Sequence, residues 1–150
     1  MNILAENKKA YFDYDVQEKF QAGIVLTGNE VKSIKNGHVS LQGAYVVINK
    51  DAEVFLIGSN VPPYQPMNTP ADYDKGRSRK LLLRKNEINY LIGKSHERGL
   101  TMIPLRVYTE KAKIKLEFGI AKGKKTFDKR ESIKRREVDR EVERELRSRG

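Results

Sequence analysis

The chain has no cysteine in its 150 residues, so disulfide bridges, thiolate metal sites and a cysteine nucleophile are excluded. Histidine is nearly as scarce: His38 and His96 fall in an expected turn and at an expected helix end, and neither has a second His or Asp at ligand spacing. No apolar run approaches the length that crosses a bilayer, and the start, Met1-Asn2-Ile3-Leu4-Ala5-Glu6-Asn7, lacks the long apolar stretch of a signal peptide. A cytoplasmic location without a membrane partner is the expectation. A glycine loop that cradles phosphate between strand and helix is also missing, since Gly123-Lys124-Lys125 has no preceding glycine at the right spacing. Apolar content is 38%, low for a domain that uses all its length, so part of the chain is expected outside the core.

What the chain does have is positive charge. Lys and Arg number 30 against 20 Asp and Glu, a net charge of +10, and such an excess points to a polyanion, with the nucleic-acid backbone the common choice. Half of the excess lies in the last thirty residues, where 12 Lys/Arg face 7 Asp/Glu. That segment opens with Lys122-Gly123-Lys124-Lys125-Thr126-Phe127-Asp128-Lys129-Arg130, and its later apolar residues are few: Ile133, Val138, Val142 and Leu146. The last three recur every fourth residue, a stripe too thin to bury in water. Residues 1–122 are therefore expected to form one domain, with 123–150 a basic tail that is disordered when free and helical on a partner. Phe127 lies beyond the last expected strand, where a core role is hard to arrange.

The remainder reads as strands. From residue 12 to 26 the even positions are Phe12, Tyr14, Val16, Glu18, Phe20, Ala22, Ile24 and Leu26, and the odd ones are mainly polar. Period two of this kind predicts one long or bent strand. Gly28-Asn29 interrupts it, and Glu30, Val31 and Ile34 among Lys32, Ser33 and Lys35 predict a short helix with Asn29 as N-cap and Gly37 at its end. Residues 39–48 and 53–57, rich in Val, Ile and Leu, predict two strands around the turn Asn49-Lys50-Asp51-Ala52. Four prolines, Pro62, Pro63, Pro66 and Pro70, make 58–78 a long loop. After the apolar run Leu81-Leu82-Leu83, Asn86 is the expected cap of a helix that carries Ile88, Leu91 and Ile92 on one face and ends at Gly99. Two alternating strands, 102–108 and 114–120, close the pattern, and Pro104, without an amide hydrogen, marks an edge or a bulge. Six or so strands with two short helices that do not alternate predict a mainly β fold, a small antiparallel barrel with appended helices.

Chemistry has few candidates. Asp72 and Asp74, with Glu30, suggest a magnesium-dependent nuclease only weakly, because two acids in a proline-rich loop are ordinarily just solvated. No catalytic residue, cofactor or metal is expected. Basic clusters are denser: Asn7-Lys8-Lys9, Lys32 with Lys35, Arg77-Arg79-Lys80 with Arg84-Lys85, and Lys122-Lys124-Lys125. Gathered on one side of a barrel they would track phosphates, with Tyr11, Tyr64 and Phe127 placed to stack on unpaired bases.

Assembled in order, these runs resemble the small protein B (SsrA-binding) family, the bacterial partners of transfer-messenger RNA in the rescue of stalled ribosomes. The resemblance covers residues 7–131 and rests on Asn7-Lys8-Lys9-Ala10, Ala22-Gly23-Ile24 to Gly28, Glu30-Val31-Lys32-Ser33, Arg79-Lys80-Leu81-Leu82-Leu83, and Gly119-Ile120-Ala121-Lys122-Gly123-Lys124-Lys125 with Asp128-Lys129-Arg130. It implies an oligonucleotide-binding-type (OB-like) barrel that works without catalysis, as a monomer, by binding the tRNA-like domain of transfer-messenger RNA and bringing it to the empty decoding site. By the same resemblance Asn7, Lys8, Lys9, Leu82 and Lys115 meet that RNA; Gln21, and from the basic clusters Lys32, Arg79 and Lys80, are expected to meet it too. Lys122, Gly123, Lys124, Lys125, Phe127, Asp128, Lys129 and Arg130 meet the decoding centre and the mRNA channel of the small ribosomal subunit. One departure stands out: the family commonly has Glu where this chain has Gln21. From periodicity alone Leu82 would be assigned to the core.

Overall fold

The structure, a computed structural model, describes residues 2–124; the expected tail from residue 125 onward lies outside them. The described elements run β1 (Asn2–Glu6), α1 (Lys8–Asp13), β2 (Tyr14–Ile24), α2 (Gly28–Lys35), β3 (Tyr45–Ile48), β4 (Val54–Ile57), a short 3-10 turn (Pro66–Asn68), β5 (Arg79–Leu82), α3 (Lys85–Ser95), β6 (Leu100–Glu110) and β7 (Lys113–Gly123). All strand pairings are antiparallel. The sheet order β1-β6-β3-β4-β5-β2-β7 closes through β6 and β7. Six strands therefore form a ring, with β1 laid against an outer edge of β6, and the mainly β, OB-like barrel expected from the sequence is present.

Strand alternation builds the interior. On β7, Ile114, Leu116, Phe118 and Ile120 point inward and join Ala22, Val46, Val54, Leu56, Leu81 and Met102 in one core. Leu91 of α3 is fully buried in the same cluster, so that helix plugs one end of the ring. On the opposite face of the sheet, Ala10 of α1 packs with Ile103, Leu105 and Ala121, and with Tyr14 and Val16 beside them, in a second small core. That packing explains one departure from expectation. Phe12 continues the two-residue alternation in sequence but belongs to α1, because burying Ala10 on the sheet bends residues 8–13 into a helix before the strand begins at Tyr14.

Other boundaries moved for identifiable reasons. Helix α2 is capped by Thr27, not Asn29: the Thr27 Oγ1 accepts from the Glu30 amide at 3.3 Å, while the Glu30 carboxylate accepts from the Thr27 amide at 2.9 Å, a reciprocal pair that satisfies two orphan donors. At its far end Gly37, with φ +80°, lets its own amide reach the Ile34 carbonyl and the His38 amide reach that of Ser33, the left-handed ending a glycine favours. Helix α3 is capped at Arg84, two positions before the expected Asn86, because the Glu87 carboxylate reaches back to the Arg84 amide at 3.1 Å, and its first residue is Lys85. It stops at Ser95, and Gly99, φ +83°, makes the turn into β6. Of residues 39–48 only Tyr45–Ile48 is strand; Ser40 forms a lone bridge with Asn60. Strand β1 was not expected at all. Pro104 does mark a bulge, since the β6–β7 register slips between Pro104 and Arg106.

Candidate nucleic-acid interface

Strand β5 sets the centre of the surface. Its residues alternate: Arg79 and Leu81 point in, Lys80 and Leu82 point out. Leu82 is 55% exposed and lies over Gly23 of β2, where even a methyl group would sit 3.5 Å from its Cβ. The leucine thus forms a ridge. On one side is an open cleft of about 610 Å³ lined by Lys19, Gln21, Gly23, Arg84 and Lys115 among others; on the other, a smaller one of about 340 Å³ lined by Leu26, Val31, Lys113 and again Lys115. An apolar ridge between basic walls suits a nucleic acid, since the cations meet phosphates and the leucine meets a sugar or base face.

The register explains why these residues meet. Gln21 pairs with Glu117 and Gly23 with Lys115 across β2–β7, and on the far side Arg106 pairs with Glu117 and Tyr108 with Lys115. Gln21 is exposed and its Oε1 accepts a hydrogen bond from the Tyr108 hydroxyl at 2.8 Å. Burial, with Glu110 and Glu117 nearby, pushes the Tyr108 hydroxyl above its usual value, so it keeps its proton and donates. Lys115 is half-buried, its Nζ 3.8 Å from Glu110.

Of the residues expected to meet RNA, Gln21, Leu82 and Lys115 come together at this ridge. Lys80 is on the same outer face of β5 but its ammonium is 3.0 Å from Glu53, and that pairing holds the Glu53 carboxyl below the ordinary range. Lys32 is exposed on α2 beside Val31. Lys8 and Lys9 are exposed on α1, and neither has an ion-pair partner among the described residues. Asn7 works on the fold: its amide nitrogen bonds the Pro104 carbonyl at 3.0 Å and its backbone the Leu105 carbonyl at 2.8 Å, fastening α1 to the bulge. With Lys9 it lines a different cleft, roughly 20 Å from Gln21 at the usual rise along β2. The basic clusters therefore do not all gather on one side.

Arg79 is a correction. Its side chain is 1% exposed and cannot meet RNA without leaving the barrel. It lies 2.6 Å from the equally buried Glu30, donates from Nε to the same carboxylate at 2.8 Å, and reaches Ser59 Oγ at 3.0 Å and the Arg77 carbonyl at 2.8 Å. Arg77 adds a second ion pair to Glu30 at 2.6 Å. Burial alone would raise the Glu30 carboxyl; the Arg77 hydrogen bond, the Thr27 amide and the Arg79 charge outweigh it and hold it below the ordinary value. Arg79 also fastens the proline-rich loop through the Lys75 carbonyl at 3.2 Å, and within that loop the Tyr73 hydroxyl donates to the Val61 carbonyl at 2.7 Å.

Lys122 and Gly123 end β7, and Lys124 bonds α1, its amide to the Asp13 carbonyl and its Nζ to the Tyr11 carbonyl, both at 2.9 Å. Lys125, Phe127, Asp128, Lys129 and Arg130 lie outside the described residues. Two contributors escaped the sequence reading: Lys19, whose ammonium sits 5.7 Å from the Tyr11 ring, and Gly23. The period-two pattern of β2 puts both on the face of Gln21, and that was the available signal.

A closed antiparallel barrel with an exposed apolar ridge between basic walls defines a nucleic-acid-binding module of the OB-like class. The chain belongs to the SmpB protein family, whose model matches residues 4–148. It is 50% identical over 138 residues to an "SsrA-binding protein" of Cupriavidus necator, covering 92% of this chain and 91% of the relative. A protein of the same name from Geobacillus kaustophilus is 48% identical over 147 residues, 98% of this chain and 94% of that one. A solved chain from work described as "tmRNA-SmpB: a journey to the center of the bacterial ribosome" superposes with a TM-score of 0.67 at 40% identity, covering 81% of this chain and 85% of the other.

Proposed function

We propose that this chain is an RNA-binding factor of trans-translation. Its barrel binds the tRNA-like domain of transfer-messenger RNA and delivers it to the empty decoding site of a stalled ribosome, and residues 123–150 sense the vacant mRNA channel. The observation that carries the RNA reading is the Leu82 ridge, where Gln21, Leu82 and Lys115 converge from three strands; the relatives' names supply the identity of the RNA. The protein acts by binding rather than catalysis. A nuclease site built on Glu30 lacks support, because that carboxylate is held by Arg77 and Arg79, and no acidic or histidine cluster suited to a metal occurs among the described residues. For the tail the support is its sequence: 12 Lys/Arg against 7 Asp/Glu in the last thirty residues, with one aromatic, Phe127, and few other apolar residues, is the composition of segments that order on a polyanionic partner.

Deleting residues 126–150 tests the division of labour. Affinity for transfer-messenger RNA stays near normal and tagging of stalled chains is lost; a large fall in RNA affinity would refute it and favour a basic tRNA-binding barrel without a rescue role. Phe127→Ala spares RNA binding and reduces tagging, and unchanged tagging removes the stacking role.

A further inference from the structure

The barrel ring is thinnest where β3 meets β6, for among the described residues the two strands share a single paired position, Val46 with Met102. Beyond it they part around a pocket of about 240 Å³, bordered by Val46, Val47 and Ile48 on one side and by Leu100, Thr101 and Met102 on the other. Consecutive strand residues point to opposite faces, so three in a row on each wall mean that backbone edges border the space as well as side chains. The floor is the barrel core, through the buried Leu91 and Ile120. A strand's residues bond alternately to its two neighbours. The Asn49 amide bonds the Glu53 carbonyl on the β4 side at 2.9 Å, which turns the backbone groups of Val46 and Ile48 toward β6. In a continued ladder the Leu100 amide would meet the Ile48 carbonyl, but it bonds the Glu97 carbonyl instead, at 3.4 Å. The Ile48 carbonyl therefore borders the pocket without its ladder donor. Nothing on the walls calls for a charged ligand: Lys94 is held by Glu97 at 3.2 Å, the Ser95 hydroxyl donates to the Ile92 carbonyl at 2.7 Å, and Thr101 adds a neutral hydroxyl. An apolar cavity of about 150 Å³ takes up benzene, so this one has room for a second fused ring.

We propose that this pocket is a small-molecule site for a neutral, planar, two-ring aromatic of the indole class, with its rings on the core floor and its N–H donated to the Ile48 carbonyl, the rung that β6 leaves out. The site is separate from the RNA surface, since it shares no residue with the clefts beside Leu82. Helix α3 joins the two: Arg84 and Glu87 at its start line the larger RNA cleft, and Leu91 and Lys94 near its end line the pocket. A bound ligand ties that helix to both strands of the seam and stabilises the ring at its weakest closure.

Indole added to the isotope-labelled full chain is expected to move the backbone amide resonances of Val47, Ile48, Leu91, Ser95, Leu100 and Thr101, saturably, with a dissociation constant on the order of 1 mM, the scale of a ligand with so few atoms. Benzofuran, which has the same shape without the N–H, binds about three- to tenfold more weakly, the loss of one hydrogen bond. Leu100→Trp puts a bulkier ring against the space and abolishes the shifts. Ile48→Ala, a gentler change at a half-buried residue, weakens indole binding at least about threefold and decides the matter should the tryptophan variant not fold. Leu82→Ala leaves the titration unchanged. Absence of a saturable shift up to the solubility limit of indole overturns the proposal. So do shifts centred on Gly23 and Leu82, benzofuran binding as tightly as indole, or undiminished binding by Ile48→Ala when its melting shows it folded.

Discussion

Replacing Glu30 by alanine removes a carboxylate that is 1% exposed and engages the Thr27 amide, Arg77, and both Nε and a terminal nitrogen of Arg79. What remains is a guanidinium, itself 1% exposed, whose other acceptors are all neutral: the Ser59 hydroxyl and the carbonyls of Ser59, Lys75 and Arg77. Deleting one partner of a buried pair costs roughly 3–5 kcal/mol, because the other charge stays buried without compensation. The lost capping box adds about 1 kcal/mol. Against a total stability of roughly 5–15 kcal/mol, the variant is marginal and melts on the order of 10–20 °C lower. Urea unfolding followed by far-UV circular dichroism measures the loss. Arg77→Ala provides the comparison: its side chain is 37% exposed, so water screens the pair and the cost is at most about 1 kcal/mol. The double variant Glu30→Met with Arg79→Met recovers most of the loss, since an apolar pair of similar volume leaves no buried charge. If Glu30→Ala costs no more than Arg77→Ala, or the double variant is no better than the single, the reasoning fails. The pH dependence follows from the same carboxyl, held below the ordinary glutamate value of 4.5. Its stabilisation is complete above that value and is lost as the pH falls through the folded-state value, so wild type loses stability in acid more steeply than Glu30→Ala.

Gly119→Ala places a Cβ 2.8 Å from Val16 Cγ1 and 2.9 Å from the Glu18 carbonyl oxygen, so β2 and β7 must part; a loss of about 1–3 kcal/mol is expected in urea unfolding. Lys115→Ala lowers the salt slope of transfer-messenger RNA binding by about 0.9, one duplex phosphate. Lys80→Ala, already engaged with Glu53 at 3.0 Å, changes it less.

The elements that sequence periodicity predicted well carry their signal in their own residues. The alternation over 114–120 follows Ile114, Leu116, Phe118 and Ile120 into the main core, although Ile103, Leu105 and Ala121 are buried on the opposite face as well, and Pro104 announced its bulge because a missing amide is a local fact. Strand β1 was hidden because Asn2–Glu6 is too short and mixed to show a period; only its pairing with residues 106–109 of β6 makes it a strand. Helix α1 was misread because Ala10 is held by residues some ninety or more positions away, Ile103, Leu105 and Ala121. The site divides the same way. Leu82 looks like core in an apolar triplet, and only the pairing of β5 between β4 and β2 turns it outward. Arg79 looks like one more cation in a basic run, and only the fold brings it to Glu30, 49 positions away. Charge in a sequence marks where cations are, not which of them already have an anion.

That distinction bears on Gln21. Its Oε1 accepts from Tyr108, so its amide nitrogen offers two donors toward the cleft. Directly across β7 lies Glu117, buried, bonded through one oxygen to Arg106 at 3.1 Å, its other oxygen without a hydrogen-bond partner among the described residues. Gln21→Glu, which restores the residue the family commonly carries, keeps the Tyr108 bond but replaces the donors by an acceptor and sets a second carboxylate opposite the first. Like charges facing each other across a ladder cost roughly 0.2–1 kcal/mol, a small but measurable fall in urea stability. The larger effect falls on recognition. An RNA oxygen or ring nitrogen that accepts from Gln21 meets a repelling carboxylate in the variant, whereas a 2′-hydroxyl or exocyclic amine gains an acceptor. In this chain Lys19 and Lys115 on the same walls favour phosphate, so the amide's donors are in use and Gln21→Glu lowers affinity about three- to tenfold, the loss of one hydrogen bond of about 1 kcal/mol. Filter binding at two salt concentrations decides it: tighter binding by the variant would mean that the group facing residue 21 is a donor, and that the RNA lies with a sugar or base edge, not its phosphates, against β2.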